Sequence, residues 1–221
     1  MKVKFWAELA GTAFLVMIVF GSGVMGQKLF PNQLGLVLLV NSIATGAGLF
    51  VLIQSLGSIS GAHLNPSVSL AEFFWGRLSQ KDLLLYVLAQ MLGAYLGVVA
   101  THVMFDVSPF VISQIERPGM NLLFSEVIAT FGLIAVIALS GKKHVEFAPL
   151  SVASYIAAGY WFTSSTAFTN PAVTFARMFT NVFSGMAPAH FFHFVIAQIV
   201  GAALALVVLK PLAPLYLSGR R

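Results

Sequence analysis

The chain has 221 residues, of which 58% are hydrophobic and 9% are charged, and its formal net charge is +5. Soluble domains carry about a quarter charged residues, so this composition excludes an ordinary soluble domain and predicts an integral membrane protein. The basic residues form no run or stripe, which argues against a nucleic-acid-binding surface. The absence of cysteine excludes disulfides, thiol chemistry and a zinc-cysteine site.

Apolar stretches of about 20 residues, the length that crosses the hydrocarbon core, recur along the chain. Taken in order, they predict six transmembrane helices at about 5–25, 34–56, 83–105, 122–140, 148–168 and 190–209. The first follows Lys2 and Lys4 and contains Glu8. No small-residue cleavage signature follows it, so it is expected to be a retained first span.

Two uncharged runs are too long for a single crossing. Residues 29–71 form a run of 43 residues, and residues 147–176 form a run of 30. Each should contain a span plus a re-entrant segment, which is tolerated at membrane depth only where its backbone lines a water-filled cavity or is buried in protein. Each run also contains an Asn-Pro pair, at 65–66 and 170–171. Asn at the N-cap followed by Pro is a strong helix start, so two short helices are predicted to begin inside the membrane.

The distribution of basic residues predicts an orientation. If both termini are cytoplasmic, nine basic residues lie inside and three outside, which satisfies the positive-inside bias. We therefore expect a multi-pass protein of the cell (inner) membrane with both termini in the cytoplasm. The inside residues are Lys2, Lys4, Arg77, Lys81, Lys142, Lys143, Lys210, Arg220 and Arg221, and the outside residues are Lys28, Arg117 and Arg177.

The second half of the chain repeats the first. ELAGTAFL at 8–15 matches EVIATFGL at 126–133, NPSVS at 65–69 matches NPAVT at 170–174, and AQMLGA at 89–94 matches AQIVGA at 197–202. Because each half carries three spans, an odd number, the second half must be inverted relative to the first. Residues 1–221 are thus predicted to form one transmembrane channel domain with inverted repeats at about 1–106 and 120–221. The two short helices then enter from opposite faces and meet near the midplane.

These four motifs in register, ELAGT at 8–12, SGAHLNPS at 60–67, AQMLGA at 89–94 and NPA at 170–172, resemble the aquaporin and aquaglyceroporin family over nearly the whole chain. The resemblance implies an all-α membrane protein with six transmembrane helices and two re-entrant half-helices in an inverted repeat. It also implies a passive channel without enzymatic activity or cofactor, assembled as a homotetramer with one pore per subunit. The implied pore motifs are Asn65, Pro66, Ser67, Asn170, Pro171 and Ala172.

The chemistry of the two Asn-Pro motifs suits neutral solutes. An N-cap Asn accepts a hydrogen bond from a backbone amide two or three residues on, which leaves its amide NH₂ free as a donor. Two such donors, backed by the positive ends of two half-helices, bind a water or hydroxyl oxygen and repel cations. The uncoiled residues before each helix are expected to present acceptor carbonyls, namely those of Gly61, Ala62, His63 and Leu64 in the first loop, and of residues 167–169, including Phe168 and Thr169, in the second.

Two carboxylates, Glu8 and Glu126, lie inside predicted spans. Such groups suggest function by default, for example a proton relay. The alternative to a passive channel is an ion-coupled secondary transporter that uses Glu8, Glu126 or His63, since inverted repeats with broken helices also occur there. The interpretation we prefer is structural: as the resemblance implies, the two carboxylates accept hydrogen bonds from the re-entrant loops, and His63 braces its loop. No nucleophile-base pair or metal cluster emerges, so no catalytic or metal-binding residue is predicted.

The chain departs from the family at Val173, directly after the second motif, where the family nearly always has an arginine in its outer constriction. Counting without gaps, the resemblance places the other constriction positions at Thr45, Ala158 and Ala167. Water-selective members have a bulky aromatic residue and a histidine at the first two positions. Four small or medium side chains therefore predict a wider filter that passes glycerol-like polyols or metalloid hydroxides such as arsenite, as in the bacterial channels associated with arsenic resistance. A water-selective aquaporin is the alternative.

Arg177 complicates the filter. It lies four residues past Val173, on the same helical face and about 6 Å further along the axis. One expectation is that it returns positive charge to the outer mouth. The expectation we prefer is that it reaches the membrane interface or ties down an outer loop.

Overall fold

The structure is a computed structural model of the chain, and it describes residues 2–108, 110–140 and 145–212. Within these ranges it contains eight α-helices and no strand, which confirms the predicted all-α fold. The helices are α1 (Lys2–Leu29), α2 (Leu34–Ser60), α3 (Pro66–Phe74), α4 (Gln80–Phe105), α5 (Met120–Ser140), α6 (Ala148–Phe162), α7 (Pro171–Arg177) and α8 (Phe191–Val208). Four basic residues used to predict the orientation lie outside the described residues: Lys142, Lys143, Arg220 and Arg221.

Most of the predicted spans are present as long apolar helices. In the described part of the chain, α1, α2, α4, α5 and the segment Pro188–Val208, which contains α8, are long and apolar enough to cross a membrane. The predicted span at 148–168 is shorter than expected, since α6 has 15 residues and ends at Phe162. The chain leaves the helix at Thr163, which has an extended backbone, and Glu126 accepts the backbone amides of Phe168 and Thr169 further along. Uncoiled chain therefore completes the fifth crossing.

The order of the helices repeats in the two halves as long, long, short, long. In the first half α1 packs along α4, and in the second half α5 packs along α8. A Cβ atom at Gly93 of α4 would overlap the carbonyl group of Leu9 in α1, and a Cβ atom at Gly201 of α8 would overlap that of Val127 in α5. Small residues let membrane helices approach this closely. The repeat in the sequence is thus a repeat of backbone-to-backbone packing.

The two short helices, α3 and α7, begin at capping asparagines. Asn65 Oδ1 accepts a hydrogen bond from the Ser67 amide at 2.8 Å. Asn170 Oδ1 accepts from the amides of Ala172 at 2.9 Å and Val173 at 3.3 Å. Both asparagines are buried, and α3 contacts α7. Both short helices therefore begin in the interior of the helix bundle.

Hydrogen bonds distinguish the two ends of the bundle. Lys28 at the end of α1 donates its Nζ to the carbonyl of Phe105 at the end of α4, at 3.3 Å. The α4–α5 loop lies at this same end, and Arg117 in this loop donates its Nε to the carbonyl of Gly185 in the α7–α8 connection, at 2.8 Å. We call this end the loop side, and the end at which α1 begins the terminal side.

Candidate pore

A cavity of about 530 Å³ passes both Asn-Pro turns. It reaches Glu72 and Glu146 on the terminal side and Tyr160 and Arg177 on the loop side. Both capping asparagines line it, together with the uncoiled residues that precede each of them. One continuous cavity therefore brings together the two motifs that the sequence keeps about a hundred residues apart.

The side-chain amides of the two asparagines cross-link the two loops. Asn65 Nδ2 donates to the carbonyl oxygen of Thr169 at 2.9 Å, and Asn170 Nδ2 donates to the carbonyl oxygen of Leu64 at 2.8 Å. The prediction that both side-chain NH₂ groups are entirely free was therefore wrong, because each group already donates one hydrogen bond to the other loop. Since an amide NH₂ has two donors, one N–H of each asparagine remains for a solute oxygen.

The two loops share an unusual backbone. Ala62 and Leu64 have φ values of 48° and 49°, and Ala167 and Thr169 have φ values of 48° and 51°. Non-glycine residues rarely adopt this left-handed region. Each such residue costs about 1–3 kcal/mol of conformational energy, and the conformation persists only where surrounding contacts hold it. The same strained pattern thus occurs at matched positions in both halves of the pore.

The carbonyls that were predicted as acceptors fall into two groups. Those of residues 61–63 accept no hydrogen bond from any described residue, and all three residues line the cavity. Those of Leu64 and Thr169 accept the asparagine amides, and that of Phe168 accepts the Thr169 hydroxyl at 2.9 Å. A carbonyl oxygen has two lone pairs, so the second group keeps one acceptor position each.

Glu8 braces the first loop. It is fully buried, and its two carboxylate oxygens accept four hydrogen bonds. The donors are the Ser60 hydroxyl at 2.6 Å, the His63 amide at 3.0 Å, the Leu64 amide at 2.7 Å and the Gln90 side chain at 2.8 Å. Glu8 does not line the cavity. This geometry favours the structural interpretation of Glu8 over a proton relay.

Glu126 braces the second loop in the same way. It is fully buried and accepts the amides of Phe168 and Thr169, each at 2.8 Å, and the side chain of Gln198 at 2.7 Å. Gln198 also donates to the Thr174 hydroxyl on α7 at 2.9 Å. In the first half, Gln90 makes the corresponding contact with the Ser69 hydroxyl on α3 at 3.0 Å. One Glu-Gln pair in each half therefore holds both the loop and the short helix.

His63 combines two positions. Its Nδ1 lies 3.0 Å from the Ser69 hydroxyl oxygen, and its ring packs on Tyr86 with ring centroids 5.0 Å apart. The residue also lines the cavity. His63 therefore braces the first loop, as predicted, while forming part of the pore wall.

Three of the four predicted filter residues, Thr45, Ala167 and Val173, lie together on the wall of the cavity. Ala158 was wrongly placed there, since it is exposed on the outer face of α6. Tyr160 lines the cavity instead, and two residues correspond to a rotation of about 200° around a helix. Counting positions back from the second motif without gaps does not take this rotation into account, and so it selected Ala158. The spacing of Ile156 and Tyr160, four residues apart on the cavity face, is the signal that indicates the correct face.

Arg177 lies at the loop-side end of the cavity. Its side chain is buried, so the expectation that it reaches the membrane interface was wrong. It does tie down a loop, because its Nη1 donates to the carbonyl of Ser184 at 2.6 Å. Its guanidinium carbon also lies 3.6 Å from the ring centroid of Phe168. Arg177 therefore places a positive charge beside the pore.

Comparison with known proteins gives consistent matches. The sequence profile described as Major intrinsic protein matches residues 1–166. Aquaglyceroporin AqpS of Rhizobium meliloti (strain 1021) is 47% identical over 204 residues, which cover 92% of this chain and 87% of that protein. Aquaporin Z of Rhodopseudomonas palustris is 31% identical over 228 residues, covering 96% and 93%. The glycerol uptake facilitator protein of Bacillus subtilis is 32% identical over 164 residues, covering 64% and 57%.

The fold has a counterpart among solved structures. The X-ray structure of the aquaglyceroporin from Plasmodium falciparum superposes with a TM-score of 0.74 at 22% sequence identity, covering 97% of this chain and 98% of that one. At this identity the match concerns the fold alone.

Proposed function

The chain belongs to the major intrinsic protein family, and we propose that it is a passive membrane channel whose filter admits glycerol-like polyols and neutral metalloid hydroxides such as arsenite. Members of this family are channels for water and small neutral solutes rather than enzymes, and the finer proposal concerns the solute. Its relatives include an aquaglyceroporin and a glycerol uptake facilitator. The observation that carries the proposal is that Val173 and Ala167 both line the cavity, because neither side chain supplies charge or a hydrogen-bond donor there.

The middle of the cavity is suited to uncharged solutes. The charged side chains among its described lining lie at its two ends, with Glu72, Arg77 and Glu146 on the terminal side and Arg177 on the loop side. Between them, the free N–H of each asparagine and the loop carbonyls can replace the hydrogen bonds that a solute loses on leaving water. An ion receives no counter-charge in this region, so its desolvation is not compensated.

A water-selective channel remains the second candidate, and one observation favours it. Tyr160 is an aromatic residue on the wall near Thr45, a position at which the sequence had predicted only small side chains. A relative named Aquaporin Z is also 31% identical over most of the chain. Permeation of glycerol distinguishes the two candidates, because a water-selective filter excludes it.

An ion-coupled transporter is disfavoured by the position of the carboxylates. Glu8 and Glu126 lie off the cavity, and their oxygens accept hydrogen bonds from the loops. A coupled carrier that uses a buried carboxylate needs that carboxylate to meet the solute pathway. His63 does line the cavity, where its Nδ1 lies 3.0 Å from the Ser69 hydroxyl oxygen. We therefore expect flux that does not saturate with solute concentration and does not respond to a proton gradient.

We further propose that residues 1–221 form one channel domain of two inverted repeats, at about 1–106 and 120–221. The proposed location is the inner membrane of the cell, with both termini in the cytoplasm, so that the loop side faces outward. Lys2 and Lys4 at the start of α1 and Lys81 at the start of α4 support this orientation. We propose a homotetramer with one pore per subunit, which chemical cross-linking and light scattering of the purified protein test.

The proposed function is tested with the unaltered protein in proteoliposomes. Stopped-flow light scattering is recorded separately with gradients of water, glycerol, urea and arsenite. We expect water, glycerol and arsenite to cross faster than in protein-free liposomes, without saturation. Flux of water alone would establish the water-selective alternative, and saturating flux that follows a proton gradient would establish the transporter.

A further inference from the structure

Arg177 is a buried cation without a carboxylate partner. It is 4% exposed, and no carboxylate in the described part of the chain forms an ion pair with it. Its side-chain contacts include the carbonyl oxygen of Ser184 at 2.6 Å and two aromatic rings, with the guanidinium carbon 3.6 Å from the Phe168 ring centroid and 5.8 Å from that of Phe20. A carbonyl dipole and an aromatic face stabilise a guanidinium but do not neutralise it. The loop-side end of the pore therefore carries a net positive charge.

The position of Arg177 brings this charge to the solute pathway. Arg177 lines the pore cavity, and it also lines a second cavity of about 290 Å³ on the loop side. It follows Val173 by one turn of α7, so the two side chains share a face and lie about 6 Å apart along the helix axis. The charge missing at Val173 is thus supplied one turn nearer the loop side.

Two hydroxyl groups complete this level of the pore. Besides Arg177, this level includes Tyr160 and Thr45, whose hydroxyl oxygens lie 3.1 Å apart. All three residues line the cavity. Because a guanidinium has five N–H donors and the Ser184 carbonyl uses one nitrogen, donors remain for a passing oxygen atom.

We propose that Arg177, held by the Ser184 carbonyl and the Phe168 ring, is the charged element of the selectivity filter, displaced by one helical turn from Val173. It repels cations entering from the loop side and donates hydrogen bonds to solute oxygens, while the level of Val173 and Ala167 stays wide and uncharged. This proposal rests on the proposed channel function and separates two tasks, charge exclusion and size selection, along the pore axis.

The test compares charge-preserving and charge-removing variants in proteoliposomes. Glycerol flux is measured by light scattering, and potassium leak is measured under an imposed membrane potential. The variants are Arg177→Met and Arg177→Gln, which remove the charge, and Arg177→Lys, which keeps it. The matched control is Lys28→Met, because Lys28 is also a loop-side cation, bound to the Phe105 carbonyl, but lines neither cavity.

Removing the charge is expected to raise potassium leak by about tenfold or more, since a unit charge close to the pathway dominates the local barrier. Arg177→Lys and Lys28→Met are expected to leave the leak unchanged, and all variants should still conduct glycerol. If Arg177→Met does not fold, as judged by gel filtration and circular dichroism, the Gln and Lys variants decide. The proposal is overturned if the folded Arg177→Met or Arg177→Gln variant leaks potassium no faster than the unaltered protein.

The outcome is separable from that of the channel function itself. If the unaltered protein conducts no solute, the proposed function fails. If it conducts glycerol and the leak is insensitive to the charge at position 177, only the displaced filter fails.

Discussion

The hydroxyl groups of Thr45 on α2 and Tyr160 on α6 lie 3.1 Å apart at the loop-side part of the pore. The two helices belong to different halves of the chain and pack against each other. Their hydrogen bond therefore fixes the Tyr160 ring against one wall of the constriction. Ala167 of the second loop and Val173 of α7 line the same cavity with small and medium side chains.

Val173→Arg should narrow the filter. A long charged side chain at this level, added to the charge of Arg177, is expected to reduce glycerol and arsenite flux by about tenfold or more while changing water flux by less than about threefold. Stopped-flow measurements of both solutes on the same liposomes check this. Val173→Leu is the control for side-chain size without charge. Equal loss of water and glycerol flux, or no loss of either, contradicts the wide-filter argument.

Single cysteines should distinguish the pore wall from the outer surface. The natural chain has no cysteine, so mercurials are expected to leave its flux unchanged, and each introduced thiol is the only target. Val173→Cys and Ala167→Cys line the cavity and should be blocked, whereas Ala158→Cys lies on the exposed face of α6 and should not. Flux is measured before and after a mercurial and after thiol rescue. Block at position 158 would restore the original filter assignment.

Asn65→Asp should break one cross-link between the loops. The carboxylate still caps the Ser67 amide, but it has no N–H for the Thr169 carbonyl. We expect a loss of about 1–3 kcal/mol from the unsatisfied group and a higher potassium leak from the negative charge at the midplane. Thermal unfolding and leak assays measure both effects. Ser67→Ala is the control, because the Ser67 hydroxyl has no partner among the described residues. If Ser67→Ala lowers stability and raises potassium leak as much as Asn65→Asp does, the hydrogen bond between Asn65 and Thr169 is not the cause.

Glu8→Gln should destabilise the protein without changing how flux depends on pH. Gln offers one acceptor oxygen and an NH₂ group where the carboxylate accepts amides of His63 and Leu64. We expect Tm to fall by about 4 °C or more. Glycerol flux per folded protein should stay as flat as in the unaltered protein between about pH 5 and pH 8, a range in which a relay group would titrate. A pH-dependent flux that the substitution abolishes would instead identify Glu8 as a proton relay.

Gly93→Ala should disturb the contact between α1 and α4. The new Cβ atom would overlap the carbonyl group of Leu9, so the two helices must separate. Overpacking of this kind costs about 1–3 kcal/mol, which should appear as a lower Tm. Gly35→Ala is the matched control, since no heavy atom lies within 4 Å of its added Cβ atom. If both substitutions lower Tm equally, close packing is not the reason for glycine at position 93.

The features that the sequence predicted well have local causes. The helix starts at Asn65 and Asn170 follow from capping chemistry within three residues, and the structure begins α3 and α7 there. Glu8 and Glu126 were recognised because an uncompensated charge is rare in a membrane span. In the structure each of them is enclosed by hydrogen-bond donors.

The features that the sequence did not predict depend on contacts between distant segments. The face that α6 turns to the cavity is set by packing against α2 and α5, which is why Tyr160 rather than Ala158 reaches the pore. The uncoiled residues Phe168 and Thr169, which were predicted to lie in or next to the fifth span, are held by Glu126, a residue of another helix. The amide of Asn65 is used by Thr169, 104 residues away, and no local pattern indicates that partner.

This last contact has a consequence for the order of assembly during synthesis. Leu64 and Asn65 leave the ribosome about a hundred residues before their partners Asn170 and Thr169. Until the second loop is inserted, the first loop has a buried carbonyl and a buried amide that its own half cannot satisfy. We therefore expect the pore wall between the two loops to be complete only after both halves have been inserted.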